Sequence, residues 1–194
     1  MCSSLFELDA HLSSRMRLAP PGAQRSIAGR LAWYAAVVLA HSGDSWLCMA
    51  AFGLVWLAGW NGSPGGSPAA SRLAVLFAAA VVIQALIIFP LKQAIRRERP
   101  AGEWGSIYRT IDPHSFPSGH ATRVALLVVL GFGLGPAWLG WALLVWAPLV
   151  ALARVATGVH YLTDILGGLL IGLLMGFAFL AIHPTVAGLL WFLL

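Results

Sequence analysis

Charge is scarce in this chain: of 194 residues only 10% are Asp, Glu, Lys or Arg, against 59% that are hydrophobic. Soluble domains carry roughly 25% charged residues, so the balance argues against a water-soluble globular domain. Lysine is scarcer still. Lys92 is the only one, and no Lys/Arg tract lies on a polar stretch, so the net charge of +5 does not read as a nucleic-acid interface. Cysteine is confined to Cys2 and Cys48, with no C-x-x-C or Cys/His spacing, which argues against zinc and against a disulfide framework. Residues 1–30 hold acids, arginines and Pro20-Pro21-Gly22 but no apolar core before a small-residue cleavage site, so no targeting peptide is expected.

What the chain has instead is apolar length. Stretches run over about 31–40, 45–60, 73–91, 121–134, 137–153 and 165–182, separated by short polar or Gly/Pro-rich breaks. The expected fold class is all-α, an integral-membrane bundle of about six transmembrane helices forming one domain over 1–194. Residues 1–29 form an interfacial segment. Within it, Leu5, Leu8, Leu12 and Met16 recur at spacings of three and four, which predicts an amphipathic interfacial helix over 4–18. The stretch 31–40 is short for a span and needs helical residues on both sides to cross roughly 30 Å of hydrocarbon.

Arg15, Arg17, Arg25 and Arg30 precede the first apolar stretch, so the positive-inside rule favours a cytoplasmic N-terminus. Six spans then put both termini in the cytoplasm and bring the polar segments 92–120 and 154–164 together on the extracytoplasmic face. If 31–60 is one span, those segments still share a face but the map inverts. Gly168, Gly172 and Gly176 recur every four residues, as a close-packing helix face does. Trp33, Trp46, Trp60, Trp104, Trp138 and Trp191 fall near expected helix ends, in the manner of an aromatic belt.

Three segments of the shared face carry chemistry. In Lys92-Gln-Ala-Ile-Arg-Arg-Glu-Arg99-Pro100 the first and last cations are seven residues apart, nearly the same side of a helix that Pro100 would stop. Pro117-Ser118-Gly119-His120 reads as a helix start whose free amides suit an anion. In Arg154-Val-Ala-Thr-Gly-Val-His160-Tyr-Leu-Thr-Asp164 the His160/Asp164 spacing of four stacks both side chains on one helical face, where a carboxylate fixes one ring nitrogen and leaves the other as a directed lone pair. Each segment alone also admits a structural reading, as a membrane-edge anchor, a capping histidine or a buried His–Asp pair. Together, with few acids to bind a metal, they suit metal-free phosphoryl transfer, in which positioning and charge neutralisation do most of the work.

In their order and spacing these segments resemble the three motifs of the type 2 phosphatidic acid phosphatase superfamily, with a motif-bearing core over about 84–176. The resemblance implies that His160 attacks phosphorus to form a phosphohistidine and that Asp164 orients it. It implies that His120 protonates the leaving oxygen and later assists water, that Lys92, Arg99, Arg154, Ser118 and the Gly119 amide hold the phosphate oxygens, and that no metal or other cofactor is required. The family often has serine before the third-motif arginine. Ala153 stands there, so one phosphate hydrogen bond is absent or supplied elsewhere, with Thr157 as the candidate. The soluble haloperoxidase branch is disfavoured by composition.

Arg96-Arg97, Pro117 to Arg123 and Ser42-Gly43-Asp44 resemble the polyisoprenoid diphosphate phosphatase branch. The expected partners are therefore the bilayer and a lipid phosphate, with polyprenyl diphosphate or monophosphate favoured over phosphatidate and phosphatidylglycerol phosphate. Arg109 and His114 are candidates for a second phosphate or are solvated loop residues. The rival class is a non-enzymatic bundle that binds or translocates anionic lipid. No feature of the sequence assigns an oligomeric state.

Overall fold

The structure, a computed structural model, describes residues 2–24, 26–59, 67–101 and 112–193. Seven helices order them: α1 (Cys2–Arg15), α2 (Ile27–Ser42), α3 (Ser45–Gly59), α4 (Pro68–Ile95), α5 (Gly119–Leu134), α6 (Ala137–Ala156) and α7 (Leu162–Leu189). Several begin where a serine can cap them. Ser26 Oγ accepts from the Gly29 amide at 3.0 Å, Ser67 Oγ from Ala70 at 3.4 Å ahead of Pro68, and Ser118 Oγ from Ala121 at 3.4 Å. α4 stops at Arg96, a left-handed residue with φ 54° whose amide bonds the Lys92 carbonyl at 2.9 Å. The helix thus ends before Pro100, and Lys92 and Arg99 do not share a helical face as their spacing led one to expect.

α5 is the axis of the bundle, with every residue from Ala121 to Gly131 buried. The glycine stripe of α7 makes this possible. A methyl group at Gly176 would lie 2.6 Å from Val129 Cβ, and one at Gly172 would collide with the Thr122 carbonyl, so α5 and α7 approach as closely as two backbones allow.

The contacts of α2 and α3 revise the expected span count. α6 runs toward Arg154; Ala36 and Ala40 of α2 pack against Ala153 near that end, and Ser42 accepts from Trp146 Nε1 at 2.9 Å further along. α3 continues in the same sense, since the Trp56 carbonyl accepts from Ser71 Oγ at 3.0 Å and Gly59 abuts the Ser67 carbonyl, both at the start of α4. α2 and α3 are therefore one passage bent by 63° around Gly43-Asp44. Three helices, α4, α6 and α7, are long and apolar enough to cross a membrane alone, the bent pair makes a fourth crossing, and α5 is shorter at 16 residues. These long apolar helices mark an integral membrane protein, and six separate spans are not found among the described residues.

The termini follow. Leu18 donates to the Ala156 carbonyl at 2.9 Å and Arg17 to that of Ala101 at 2.8 Å, so α1 sits at the end of the bundle that carries Arg154. The Leu193 carbonyl accepts from Trp56 Nε1 at 2.9 Å, at the opposite end. The first and last described segments therefore lie at opposite ends of the bundle. α1 itself exposes its apolar stripe, Leu5, Leu8, Leu12 and Met16, and buries Asp9 and Ser13. Of the tryptophan belt, Trp138 and Trp191 are exposed near helix ends, Trp46 is exposed at the bend, Trp33 is buried, and Trp60 and Trp104 lie outside the described residues.

In a background with Cys2 replaced by serine, single cysteines at the exposed positions Ser14 and Gly188 should react with a membrane-impermeant maleimide from opposite sides of sealed vesicles. Labelling of both from one side contradicts the single bent passage.

Candidate active site

His160 sits in the short link between α6 and α7. Gly158, at φ +75°, supplies the left-handed turn that leads the chain back into the bundle, and His160 ends 1% exposed. It precedes α7, so the expected stacking with Asp164 on one helix is replaced by a turn that brings them together. Arg99 Nη1 lies 3.1 Å from His160 Nε2 and also donates to the Val159 carbonyl at 2.9 Å. Because a guanidinium only donates, Nε2 must be the lone-pair nitrogen and the proton sits on Nδ1. That Nδ1 is 3.5 Å from Asp164 Oδ2, a charge contact longer than a hydrogen bond, and it has no hydrogen-bond partner. Burial, reinforced by Arg99, Arg154 and Lys92, pushes the imidazole pKa well below its ordinary value. His160 is thus held neutral with a directed lone pair.

Asp164 is fully buried and acts as the cap of α7. Its Oδ2 accepts the Tyr161 amide at 2.8 Å, and its Oδ1 accepts Arg97 Nη1 at 2.7 Å. Facing His160 are Lys92, 4% exposed, Arg99, 6%, and Arg154, 1%. Lys92 and Arg99 reach one another through a carboxylate the sequence reading passed over. Asp112 Oδ2 pairs with Lys92 Nζ and accepts Arg99 Nη2 at 2.9 Å, while the Asp112 carbonyl accepts Arg99 Nε at 2.8 Å. A negative oxygen therefore already occupies the point where two cations converge beside His160 Nε2.

Ser118 joins two motifs while keeping its hydroxyl hydrogen available to donate. Its hydroxyl caps α5 and its amide donates to the Asp164 carbonyl at 3.0 Å, tying the second motif to the third. Gly119 borders open space, with no atom within 4 Å of where its Cβ would be. Thr157 does not replace the missing serine, because its hydroxyl bonds the Ala153 carbonyl at 2.8 Å. His114 meets the cluster through its carbonyl, which accepts Lys92 Nζ at 3.3 Å, and Arg109 lies outside the described residues.

His120 has a partner that sequence spacing did not reveal. Its Nε2 is 2.6 Å from Asp44 Oδ1 at the bend of the α2–α3 passage, and Asp44 Oδ2 is 2.9 Å from His41 Nδ1. The bend is held from the other side by Arg123, which donates to the Gly43 carbonyl and to Ser45 Oγ. The broken helix is thus what delivers a carboxylate to His120. The one trace of it in the sequence is an acid, Asp44, between two apolar runs, where an unpaired charge is costly.

The family model described as the PAP2 superfamily matches residues 73–187. The undecaprenyl-diphosphatase BcrC of Bacillus subtilis is 33% identical over 113 residues, covering 56% of this chain. The match spans little more than half of that relative, 58% of its length. Among solved structures, the transmembrane PAP2 type phosphatidylglycerolphosphate phosphatase from Bacillus subtilis aligns with a TM-score of 0.70 at 22% identity, over 94% of this chain and 88% of the other. LpxE from Aquifex aeolicus aligns at 0.64 and 18% identity, over 90% and 95%. These two likenesses are of fold.

An oxyanion entering the cluster must displace the Asp112 carboxylate from Lys92 and Arg99. Asp112→Asn should therefore bind orthovanadate roughly threefold to tenfold more tightly by calorimetry, the equivalent of about 1 kcal/mol for a partly exposed pair. Weaker binding would mean that Asp112 organises the cations instead of competing for them.

Proposed function

Because the chain belongs to the PAP2 superfamily, whose family model matches residues 73–187, we propose that it is a membrane-embedded, metal-independent lipid phosphatase that works through a phosphohistidine at His160. One observation carries the proposal: a neutral, buried His160 turns its lone-pair nitrogen, 3.1 Å from Arg99 Nη1, toward a cluster of buried cations, Lys92, Arg99 and Arg154. The rival reading, a bundle that binds or moves anionic lipid, needs the cations but has no use for a histidine poised in this way.

The geometry supports the following steps. Lys92, Arg99, Arg154 and the Gly119 amide take the non-bridging oxygens, and Arg99 Nη1 moves from Nε2 to oxygen as the phosphate arrives. Nε2 forms a bond to phosphorus while the bond from phosphorus to the leaving oxygen breaks. The ring's Nδ1–H faces Asp164, which stabilises the positive charge that develops. With the negative charge of the bound phosphate added to that of Asp44, His120 takes up a second proton and donates it from Nδ1 to the leaving oxygen, while Asp44 holds Nε2–H. Neutral His120 then takes a proton from water, whose oxygen attacks phosphorus, releases phosphate and restores His160.

A polyprenyl diphosphate or monophosphate is the favoured substrate. The resemblance to an undecaprenyl-diphosphatase supports this, as does a cationic cluster at one end of an apolar bundle, where a lipid head would meet the cations while its tail stays in the bilayer. α1, with its apolar stripe turned outward, is proposed to lie in the membrane interface beside that cluster.

The purified chain should release phosphate from a lipid phosphate in the presence of EDTA. His160→Ala should lower kcat by at least roughly a thousandfold while melting as the parent does. Undiminished turnover in that variant would refute the mechanism. Parallel assays of farnesyl diphosphate, phosphatidate and phosphatidylglycerol phosphate rank the substrates, and preference for either glycerolipid would overturn the polyprenyl assignment.

A further inference from the structure

α1 is built the reverse of a helix on a soluble protein. Leu5, Phe6, Leu8 and Leu12 are exposed, whereas Asp9 and Ser13, one turn apart, are 5% and 0% exposed. The polar side docks on the start of α7, whose first amides have no acceptor within their own helix. Asp9 Oδ1 accepts the Thr163 amide at 3.2 Å, Asp9 Oδ2 pairs with Thr163 Oγ1, and Ser13 Oγ accepts the Leu162 amide at 2.9 Å. A segment some 150 residues distant in sequence therefore caps the helix that bears Asp164.

The same carboxylate holds Arg97. Arg97 Nη2 donates to Asp9 Oδ2 at 2.6 Å, and Nη1 donates at 2.7 Å to both Thr163 Oγ1 and Asp164 Oδ1. The guanidinium lies over the Tyr161 ring at 4.3 Å and the Phe6 ring at 5.2 Å, which fixes its plane. Burial disfavours the Asp9 anion, but hydrogen bonds from Thr163 and Arg97 outweigh it and hold the pKa below the usual carboxylate range. Asp9 therefore stays ionised and shares the charge of Arg97 with Asp164.

We infer that Asp9 is a positioning residue of the active site: through Arg97 it sets the place and the basicity of the Asp164 carboxylate, and through Asp164 it orients His160. The relay is Asp9, Arg97, Asp164, His160, with only the last in contact with phosphorus. Without Asp9, the full charge of Arg97 falls on Asp164, which then supports the His160 Nδ1–H less well, and the guanidinium loses the partner that fixes its fork. This inference rests on the assignment of His160 as the nucleophile.

The test uses the full chain in detergent micelles with farnesyl diphosphate. Asp9→Asn should lower kcat about 10- to 100-fold, the size of effect that loss of an orienting group produces, with KM changed by less than about threefold. Asp9→Glu should recover part of kcat, and His11→Ala, on the exposed side of the same helix, should match the parent. In an Arg97→Gln background, Asp9→Asn should cost little more, because the two act in series. Should Asp9→Asn fail to fold, Arg97→Lys keeps the charge and loses the fork, and kcat should fall about tenfold at the parent's melting temperature. A parental kcat in Asp9→Asn, or in Arg97→Lys where that variant carries the test, overturns the inference, as does full additivity with Arg97→Gln. His160→Ala measured alongside separates the two failures. Activity surviving in His160→Ala refutes the phosphatase reading, whereas an inactive His160→Ala beside a fully active Asp9→Asn refutes only the role of Asp9.

Discussion

A cation buried in a bundle wrapped by hydrocarbon has to find oxygen, and the architecture around the site follows from meeting that demand for Lys92, Arg97, Arg99 and Arg123 together. Lys92 and Arg99 share Asp112, Arg97 bridges Asp9 and Asp164, and Arg123 takes the carbonyl and hydroxyl exposed where α2 breaks into α3. Each pairing joins elements that are remote in the chain. Removing one partner leaves a charge uncompensated, at a cost that is greatest where both partners are buried and smaller at the partly exposed Asp112, so the polar network and the helix packing depend on each other.

That network gives each of two histidines its own acid, which is how the proposed mechanism divides the work between them. His160 is neutral and turns its lone pair toward the cations, with Asp164 behind it. His120 is held by Asp44, delivered by the bent passage. The bend has a counterpart in other membrane proteins, in which a helix interrupted at depth exposes backbone groups only where protein surrounds them. Here the interruption also brings an ionisable side chain into the interior, where Arg123 and the two histidines His41 and His120 meet the exposed groups.

Much of this was legible in the sequence where the signal is local. The four-residue glycine spacing of Gly168, Gly172 and Gly176 identified the face that receives α5, and Ser118 before an apolar run marked a helix start. The residues whose partners escaped the sequence, Asp9, Asp44 and Asp112, are acids that pair far away in the chain or across a loop. Asp9 pairs with Arg97 88 residues on, and Asp44 with His120 76 residues on, and no periodicity records such pairs. The bend stayed one of two alternatives for a related reason. Hydropathy sees a polar interruption such as His41-Ser-Gly-Asp44 identically whether the chain reverses there or continues, and only the packing of Ala36 and Ser42 along α6 separates the two. Lys92 and Arg99 converge as their motif implied, yet by way of a left-handed turn at Arg96 rather than along one helix.

The central claim is that His160 Nε2 carries the phosphoryl group during turnover. Rapid mixing of the protein with β-labelled polyprenyl diphosphate, an alkaline quench that preserves phosphoramidates, and peptide mapping by mass spectrometry read this directly. The account predicts label on the peptide containing His160, absent from His160→Ala and accumulating in His120→Ala if water attack becomes limiting. Label on another residue, or phosphate released in a single turnover with no labelled peptide at any time point, would contradict it.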